Sequence, residues 1–284
     1  MSVVFSAIIP SYNQAAFVGH AIQSALDQRL PGGAETEVIV VDDESSDSTP
    51  QVASSFVKRI TYLRQTNRRE GAARNAGAAR ARGTYFAFLD SDDYWLPGKL
   101  AGDLARFEQA DHPALVYSRG RNVDSSDRVI GERHLDHPQG DVFWRLAREA
   151  FMPMSTVAVR ADAFRACGGF VDQTATCIRV HARNMSADPG YMQRAMLSGV
   201  RYALQDPVIA ARARGRERFI RACMYVTIGL NAYANGHRHR AWLWLARAVA
   251  AWPAQLADPR FVGAASRALL GPGFLTTVRR IAGA

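Results

Sequence analysis

The first hundred residues alternate between apolar runs and amphipathic stretches. Val3-Val4-Phe5-Ser6-Ala7-Ile8-Ile9 is a β-branched-rich run ended by Pro10, which predicts a strand. From Ala15 to Gln28, Phe17, Ala21, Ile22, Ala25 and Leu26 fall on one helical face. Pro31-Gly32-Gly33 breaks the chain, and Glu37-Val38-Ile39-Val40-Val41 predicts a second strand with Asp42-Asp43 at its carboxyl end. Ser46 to Val57 reads as a helix, with Ser46 or Asp47 as N-cap and Pro50 in its first turn. Ile60 to Leu63 predicts a third strand, and Glu70 to Arg82 an Ala/Arg-rich helix stopped by Gly83. Tyr85-Phe86-Ala87-Phe88-Leu89 predicts a fourth strand, followed by a helix over Pro97 to Gln109. Such βαβα alternation implies a mostly parallel sheet with helices on both faces.

Beyond residue 114 the pattern loosens. Ala114 to Ser118 and Met154 to Val159 read as strands separated by a polar excursion. Ala161 to Cys167 is a short helix ended by Gly168-Gly169, and residues 186–199 are helical again. From about residue 216 the tail is helical. Phe219 to Asn235 and Arg238 to Ala251 form a hairpin closed at Gly236, with Trp242, Leu245, Val249 and Trp252 along one face of the second helix. Half of a helical-repeat module is the other description of that tail.

Composition adds bounds. The chain has 284 residues and is 48% hydrophobic, enough for one large α/β domain plus an appendage and too apolar for disorder. The start lacks the basic-then-apolar pattern of a signal peptide, and no apolar run approaches the roughly 18 residues of a membrane span. Cys167, Cys177 and Cys223 show no metal-ligand spacing and suit a reducing cytoplasm. The net charge of +9 sits in the tail: residues 1–205 carry 23 basic and 23 acidic side chains, whereas 206–284 carry 12 and 3. This predicts a domain over 1–205 and a basic helical region over 206–284 that faces something anionic. That partner is a membrane surface, the inner face for a cytoplasmic protein, or an acidic partner. No nucleic-acid recognition motif accompanies the charge.

The chemistry lies in the acids. Asp90, Asp92 and Asp93 fall within four residues where the fourth strand ends, an arrangement costly in repulsion unless a cation or ligand hydroxyls share the charge. Hard oxygen donors suit Mg²⁺ or Mn²⁺. A solvated turn capping the next helix is the alternative. Open α/β sheets bind ligands beyond the carboxyl ends of their strands, so Asp42-Asp43 and Asp90 to Asp93 combine into one candidate site.

Four motifs in order and spacing resemble family-two inverting glycosyltransferases of the GT-A fold. They are Ile8-Ile9-Pro10-Ser11-Tyr12-Asn13, Val40 to Thr49, Gly71-Ala72-Ala73-Arg74-Asn75-Ala76-Gly77, and Phe88 to Pro97. The resemblance is clear over residues 3–110 and thinner to about 200. It implies a nucleotide-diphosphate sugar donor, a UDP-sugar foremost, with Pro10 and Tyr12 shaping the base pocket and Asp43 accepting a base N–H. It implies Arg74 at the base or diphosphate, Asp93 on a Mn²⁺ or Mg²⁺, and Asp92 on ribose or metal, leaving Asp90 a supporting or capping group. Gly168-Gly169-Phe170 resembles the loop ahead of the acceptor site. Arg179 and His181 resemble an Arg-x-His segment that meets diphosphate or metal.

One departure bears on catalysis. The family's base comes from a Glu-Asp pair between the Gly-Gly-Phe loop and the Arg-x-His segment. Here Gly169 and Arg179 are ten positions apart, and Ile178-Arg179 stand where the pair is expected. The segment missing is on the order of two dozen residues. Asp188 stands before Pro189 in an N-cap pattern and Asp172 follows the Gly-Gly-Phe loop; both are weak candidates for the base. Two readings follow: an inverting sugar transferase acting on a glycan, lipid-linked or protein acceptor, or an impaired relative that binds nucleotide sugar or a partner without turnover. A nucleotidyltransferase is disfavoured, because Pro10-Ser11-Tyr12-Asn13 is not a basic, glycine-rich phosphate loop.

Overall fold

The computed structural model describes residues 3–124, 126–133, 138–142, 144–145, 152–170, 204–205, 207–234, 236–254 and 261. The chain divides into two compact units, residues 1–137 with 151–172, and residues 138–150 with 173–284.

The first unit is an α/β layer structure. Its strands are β1 (Val3–Ser11), β2 (Glu35–Asp42), β3 (Thr61–Arg64), β4 (Tyr85–Phe88), β5 (Leu115–Tyr117), β6 (Gly120–Val123), β7 (Val129–Arg133) and β8 (Val157–Arg160). Its helices are α1 (Val18–Leu26), α2 (Thr49–Ser54), α3 (Arg69–Arg80), α4 (Lys99–Phe107) and α5 (Ala161–Ala166). One six-stranded sheet runs in the order β3-β2-β1-β4-β8-β5. β1 to β4 are mutually parallel, and β8 pairs antiparallel with both β4 and β5. β6 and β7 form a separate antiparallel hairpin within the predicted polar excursion.

Both faces of the sheet are covered, so its central strands read as continuous apolar runs rather than alternating ones. Phe5, Ala7 and Ile9 point to one side with Val38 and Val40, against Ile22 of α1 and Leu100 and Leu104 of α4. Ile8, Ile39, Val41, Phe86 and Phe88 point to the other, against Ala73 and Ala78 of α3 and the partly buried Phe164 of α5. α3 approaches closely at Gly77, where a Cβ would sit 2.6 Å from Ile8 Cγ2. That approach brings the neighbouring Arg74 toward the end of β4.

Several boundaries differ from the sequence expectation. Pro10 does not end β1, which continues to Ser11 and pairs Pro10 with Val41. Ile8 O accepts from Leu89 N on the β4 side, and Ser11 O accepts from Asp43 N on the β2 side. By that alternation residue 10 faces β4, whose pairing has already stopped at Phe88, so no ladder bond needs its missing N–H. α1 starts at Val18, not Ala15, because Gln14 N donates to Thr49 Oγ1 and Ala15 N to Asp47 Oδ2. α2 starts only at Thr49, since Asn13 Oδ1 takes the N–H groups of Ser46 and Asp47. Met154–Thr156 is a 3₁₀ turn that leads into β8 rather than the start of the strand.

The second unit contains α6 (Pro207–Ala213), α7 (Glu217–Ala234) and α8 (Arg238–Ala251). α7 and α8 pack as the predicted hairpin. Val226, Leu245, Ala248 and Phe261 form a core with Trp242 and Val249, and Met224, Ile228 and Trp244 form a second. Trp252 meets Phe219 at 5.9 Å. Arg214, Arg218, Arg221, Arg238 and Arg240 are exposed. Among the described residues no helix is long and apolar enough to cross a membrane.

Candidate functional site

Parallel pairing brings the carboxyl ends of β1 to β4 to one edge. Ser11 is in register with Asp42, and Asp42 with Arg64. Two groups of carboxylates lie along this edge in opposite electrostatic situations.

At the end of β2 the acids are consumed by the fold. Asp42 is fully buried; Oδ1 accepts Ser45 N at 2.9 Å, and Oδ2 accepts the Tyr62 hydroxyl at 2.7 Å with Arg64 Nε at 3.7 Å. Burial, then the bond to Asp42, push the Tyr62 phenol well above its ordinary pKa. Asp43 is 3% exposed and organises the turn that launches α3. Its Oδ1 accepts Gln65 Nε2 at 2.8 Å and Arg68 N at 2.9 Å, and its Oδ2 accepts Arg69 N at 2.6 Å. Arg69 takes φ +73°, a left-handed conformation that these bonds help to hold. Tyr12 stands beside them, 49% exposed.

At the end of β4 the acids crowd. Asp92 is pushed up to about 6 by the closing of the turn around it and then by Asp93 and Asp90, although its side chain still opens to solvent. Asp90 pairs with Arg74 at 2.6 Å, and Arg74 also meets Glu70 at 3.0 Å. Arg74 is buried, its guanidinium 5.5 Å from the centre of the Phe170 ring, and its Nε has no hydrogen-bond partner among the described residues. Burial works against its charge, but Asp90 and Glu70 hold it firmly ionised. Phe170 is fixed in turn by Asn75 of α3, whose Nδ2 donates to Phe170 O at 2.6 Å and whose Oδ1 accepts Phe170 N at 2.8 Å. Trp95 closes the turn with its backbone N–H on Ser24 Oγ at 3.1 Å and its indole N–H on Ser155 O at 2.7 Å. Ser155 Oγ also donates to Asp93 Oδ2 at 2.5 Å.

Of the sequence-predicted residues, Pro10, Tyr12 and Asp43 thus lie toward the β1 and β2 ends, and Asp92, Asp93 and Arg74 around the β4 end of the same edge. Asp172, Arg179, His181 and Asp188 lie outside the described residues. Ser155 was not singled out from the sequence, and Asn75 only as one position of a motif. Their partners are 62 and 95 positions away along the chain, a separation with no local signal.

Among the described residues no group of three Asp, Glu, His or Cys side chains converges to hold a metal unaided. The Asp92-Asp93 pair fits a hard divalent cation that keeps waters and takes phosphate oxygens as further ligands. The donors are oxygens, and their mutual repulsion already raises Asp92.

The fold, a sheet covered by helices on both faces with acidic turns at its carboxyl edge, is of the GT-A type by its likeness to solved structures. The glycosyl transferase family 2 model matches residues 6–166, more than half of the chain, and the chain belongs to that family. It is 41% identical over 138 residues to succinoglycan biosynthesis protein ExoO of Rhizobium meliloti, covering 45% of this chain and 37% of that protein. To a Nostoc sp. glycosyltransferase it is 33% identical over 138 residues, covering 47% and 42%. The matched stretch spans less than half the length of these relatives. Among solved structures, Staphylococcus aureus TarS 1–349 in complex with UDP superposes with TM-score 0.56 at 17% identity, covering 97% of this chain and 92% of that one. Mannosyltransferase PcManGT of Pyrobaculum calidifontis, in complex with GDP-Man and Mn²⁺, gives 0.51 at 16%, covering 96% and 88%. At these identities the likeness is one of fold.

Proposed function

We propose that the chain transfers a sugar, with inversion, from a nucleotide-diphosphate sugar to a glycan, lipid-linked or protein acceptor. The observation that carries this reading is the crowded acid turn at the end of β4, on the same sheet edge as the buried Asp43. TarS with UDP and PcManGT with GDP-Man and Mn²⁺ support it, since both pair this fold with a nucleotide or its sugar.

In this reading Pro10 and Tyr12 frame the nucleobase. An ionised carboxylate offers about four acceptor positions. Asp43 spends three on the protein, and the fourth takes a base N–H of a UDP-sugar. Asp93 and Asp92 hold Mn²⁺ or Mg²⁺, with Asp92 also within the role of a ribose contact. Bound there, a divalent cation would supply Lewis-acid stabilisation of the charge that develops on the leaving nucleotide. Arg74 pairs with Asp90 and so lowers the repulsion around the turn. Arg179 and His181 are assigned to the diphosphate or metal, and Asp172 and Asp188 stand as candidates for the base that takes the acceptor's proton.

A second reading, donor binding without turnover, is favoured by the ten-residue spacing between Gly169 and Arg179, which leaves no Glu-Asp pair there. Donor hydrolysis and transfer by wild type, Asp172→Asn and Asp188→Asn separate the two. Loss of activity, by about 10²–10⁴-fold in one variant, names the base. A wild type that binds donor but never turns it over supports the second reading.

The twelve basic and three acidic residues of 206–284 support treating that stretch as a separate region that docks on an anionic membrane surface, at the cytoplasmic inner face. Truncation at residue 206 then abolishes binding to anionic liposomes; unchanged binding refutes the assignment.

A further inference from the structure

β8 runs antiparallel to β4, with Ala87 opposite Ala158. Three rows further along the same register, Asp90 stands opposite Ser155. Strand pairing has ended there, and the Ser155 side chain takes over. Its Oγ accepts Asp90 N at 3.1 Å and donates to Asp93 Oδ2 at 2.5 Å. Its carbonyl accepts the Trp95 indole N–H at 2.7 Å. One residue, 8% exposed, therefore ties three points of the turn 90–95.

The chemistry of a hydroxyl makes this directional. It has one proton and two acceptor lone pairs. The Asp90 N–H occupies a lone pair, and the proton goes to the carboxylate of Asp93, a short charge-assisted bond. The terminal torsion of an aspartate is broad and roughly two-fold, so each bond to a carboxylate oxygen narrows the orientations open to it. The bond to Oδ2 selects one of them.

We infer that Ser155 is a positioning residue for the cation site: its hydroxyl orients the Asp93 carboxylate and fastens the acid turn to the approach of β8. The inference rests on the proposed assignment of Asp93 as a cation ligand. Partners that orient metal-ligating groups affect metal affinity by about 10–100-fold.

The test is Mn²⁺ binding to the full chain, followed by the paramagnetic resonance of free Mn²⁺, for wild type, Ser155→Ala and Ser155→Thr, with thermal melts alongside. Ser155→Ala weakens Mn²⁺ binding by about tenfold or more, and Ser155→Thr, which keeps the hydroxyl, stays within about threefold of wild type. A purely structural role moves the melt and leaves the affinity of the folded protein alone. Folded Ser155→Ala with Mn²⁺ affinity within about twofold of wild type overturns the inference. Should Ser155→Ala not fold, Ser155→Cys carries the same expectation, because a thiol is a weak donor of similar size. Absence of Mn²⁺ binding in wild type overturns the assignment of Asp93 itself, and so is distinguishable from failure of the Ser155 inference alone.

Discussion

The two acidic clusters on the sheet edge are alike in sequence and opposite in physics. Asp42 and Asp43 are the more buried pair, yet five hydrogen bonds from Ser45, Tyr62, Gln65, Arg68 and Arg69 replace the water they lost. Asp92 and Asp93 are more open to solvent, yet desolvation within the turn, and then Asp93 and Asp90, push Asp92 up to about 6. Burial alone therefore does not decide what an acid is for. Donors supplied by the chain make the end of β2 a structural joint. At the end of β4, Asp90 takes the Arg74 guanidinium, while Asp92 stays exposed with Asp93 and Asp90 beside it.

The difference predicts how each acid responds to removal. Asp42→Ala strips the acceptor from the buried Ser45 N–H and the partly buried Tyr62 hydroxyl and costs about 3 kcal/mol in urea unfolding. Arg74→Gln leaves Asp90 without its cation and costs about 2 kcal/mol, together with weaker Mn²⁺ binding. Asp92→Asn relieves repulsion; at neutral pH without metal it leaves stability unchanged or higher by a few tenths of a kcal/mol, screened by solvent. A loss in Asp92→Asn as large as that in Asp42→Ala would erase the distinction between the clusters.

The pH dependence sharpens the same contrast. With the folded pKa of Asp92 near 6 against an ordinary value of 3.8, the native state binds the extra proton between those values. Stability of the metal-free protein then gains a contribution as pH falls from about 7 toward about 4, and that contribution is absent in Asp92→Asn. Melting curves of both proteins across that window check the sign. Glu37, at the far end of β2, behaves oppositely. Burial would raise it, but bonds from Ser6 and from the backbone and side chain of Arg82 hold it net below 4.5. Its stabilisation is present above about 4.5 and lost as pH falls through its lower folded value, which Glu37→Gln removes.

The order β1 to β4 and α1 to α4 was legible in the sequence because strands buried on both faces leave unbroken apolar runs and the helices between them leave a stripe. Both acidic turns were legible for the same reason, each following such a run directly. What escaped depends on register between distant segments. Pro10 inside β1 is tolerated only because β4 stops two rows earlier, and the late starts of α1 and α2 come from bonds exchanged between their preceding loops. Ser155 lies in an unremarkable Met-Ser-Thr stretch until the pairing of β8 with β4 sets it against Asp90. Asn75 was visible as part of a motif, but its two bonds to the Phe170 backbone were not.

The central claim is that the turn after β4 holds a cation for a nucleotide-sugar donor. Titration calorimetry of UDP into wild type and Asp93→Ala, each with and without Mn²⁺, tests it most directly. The claim predicts binding by wild type with Mn²⁺, and a loss of about tenfold or more on removing either the metal or the Asp93 carboxylate. Equal UDP affinity with and without Mn²⁺, unchanged in Asp93→Ala, would contradict it.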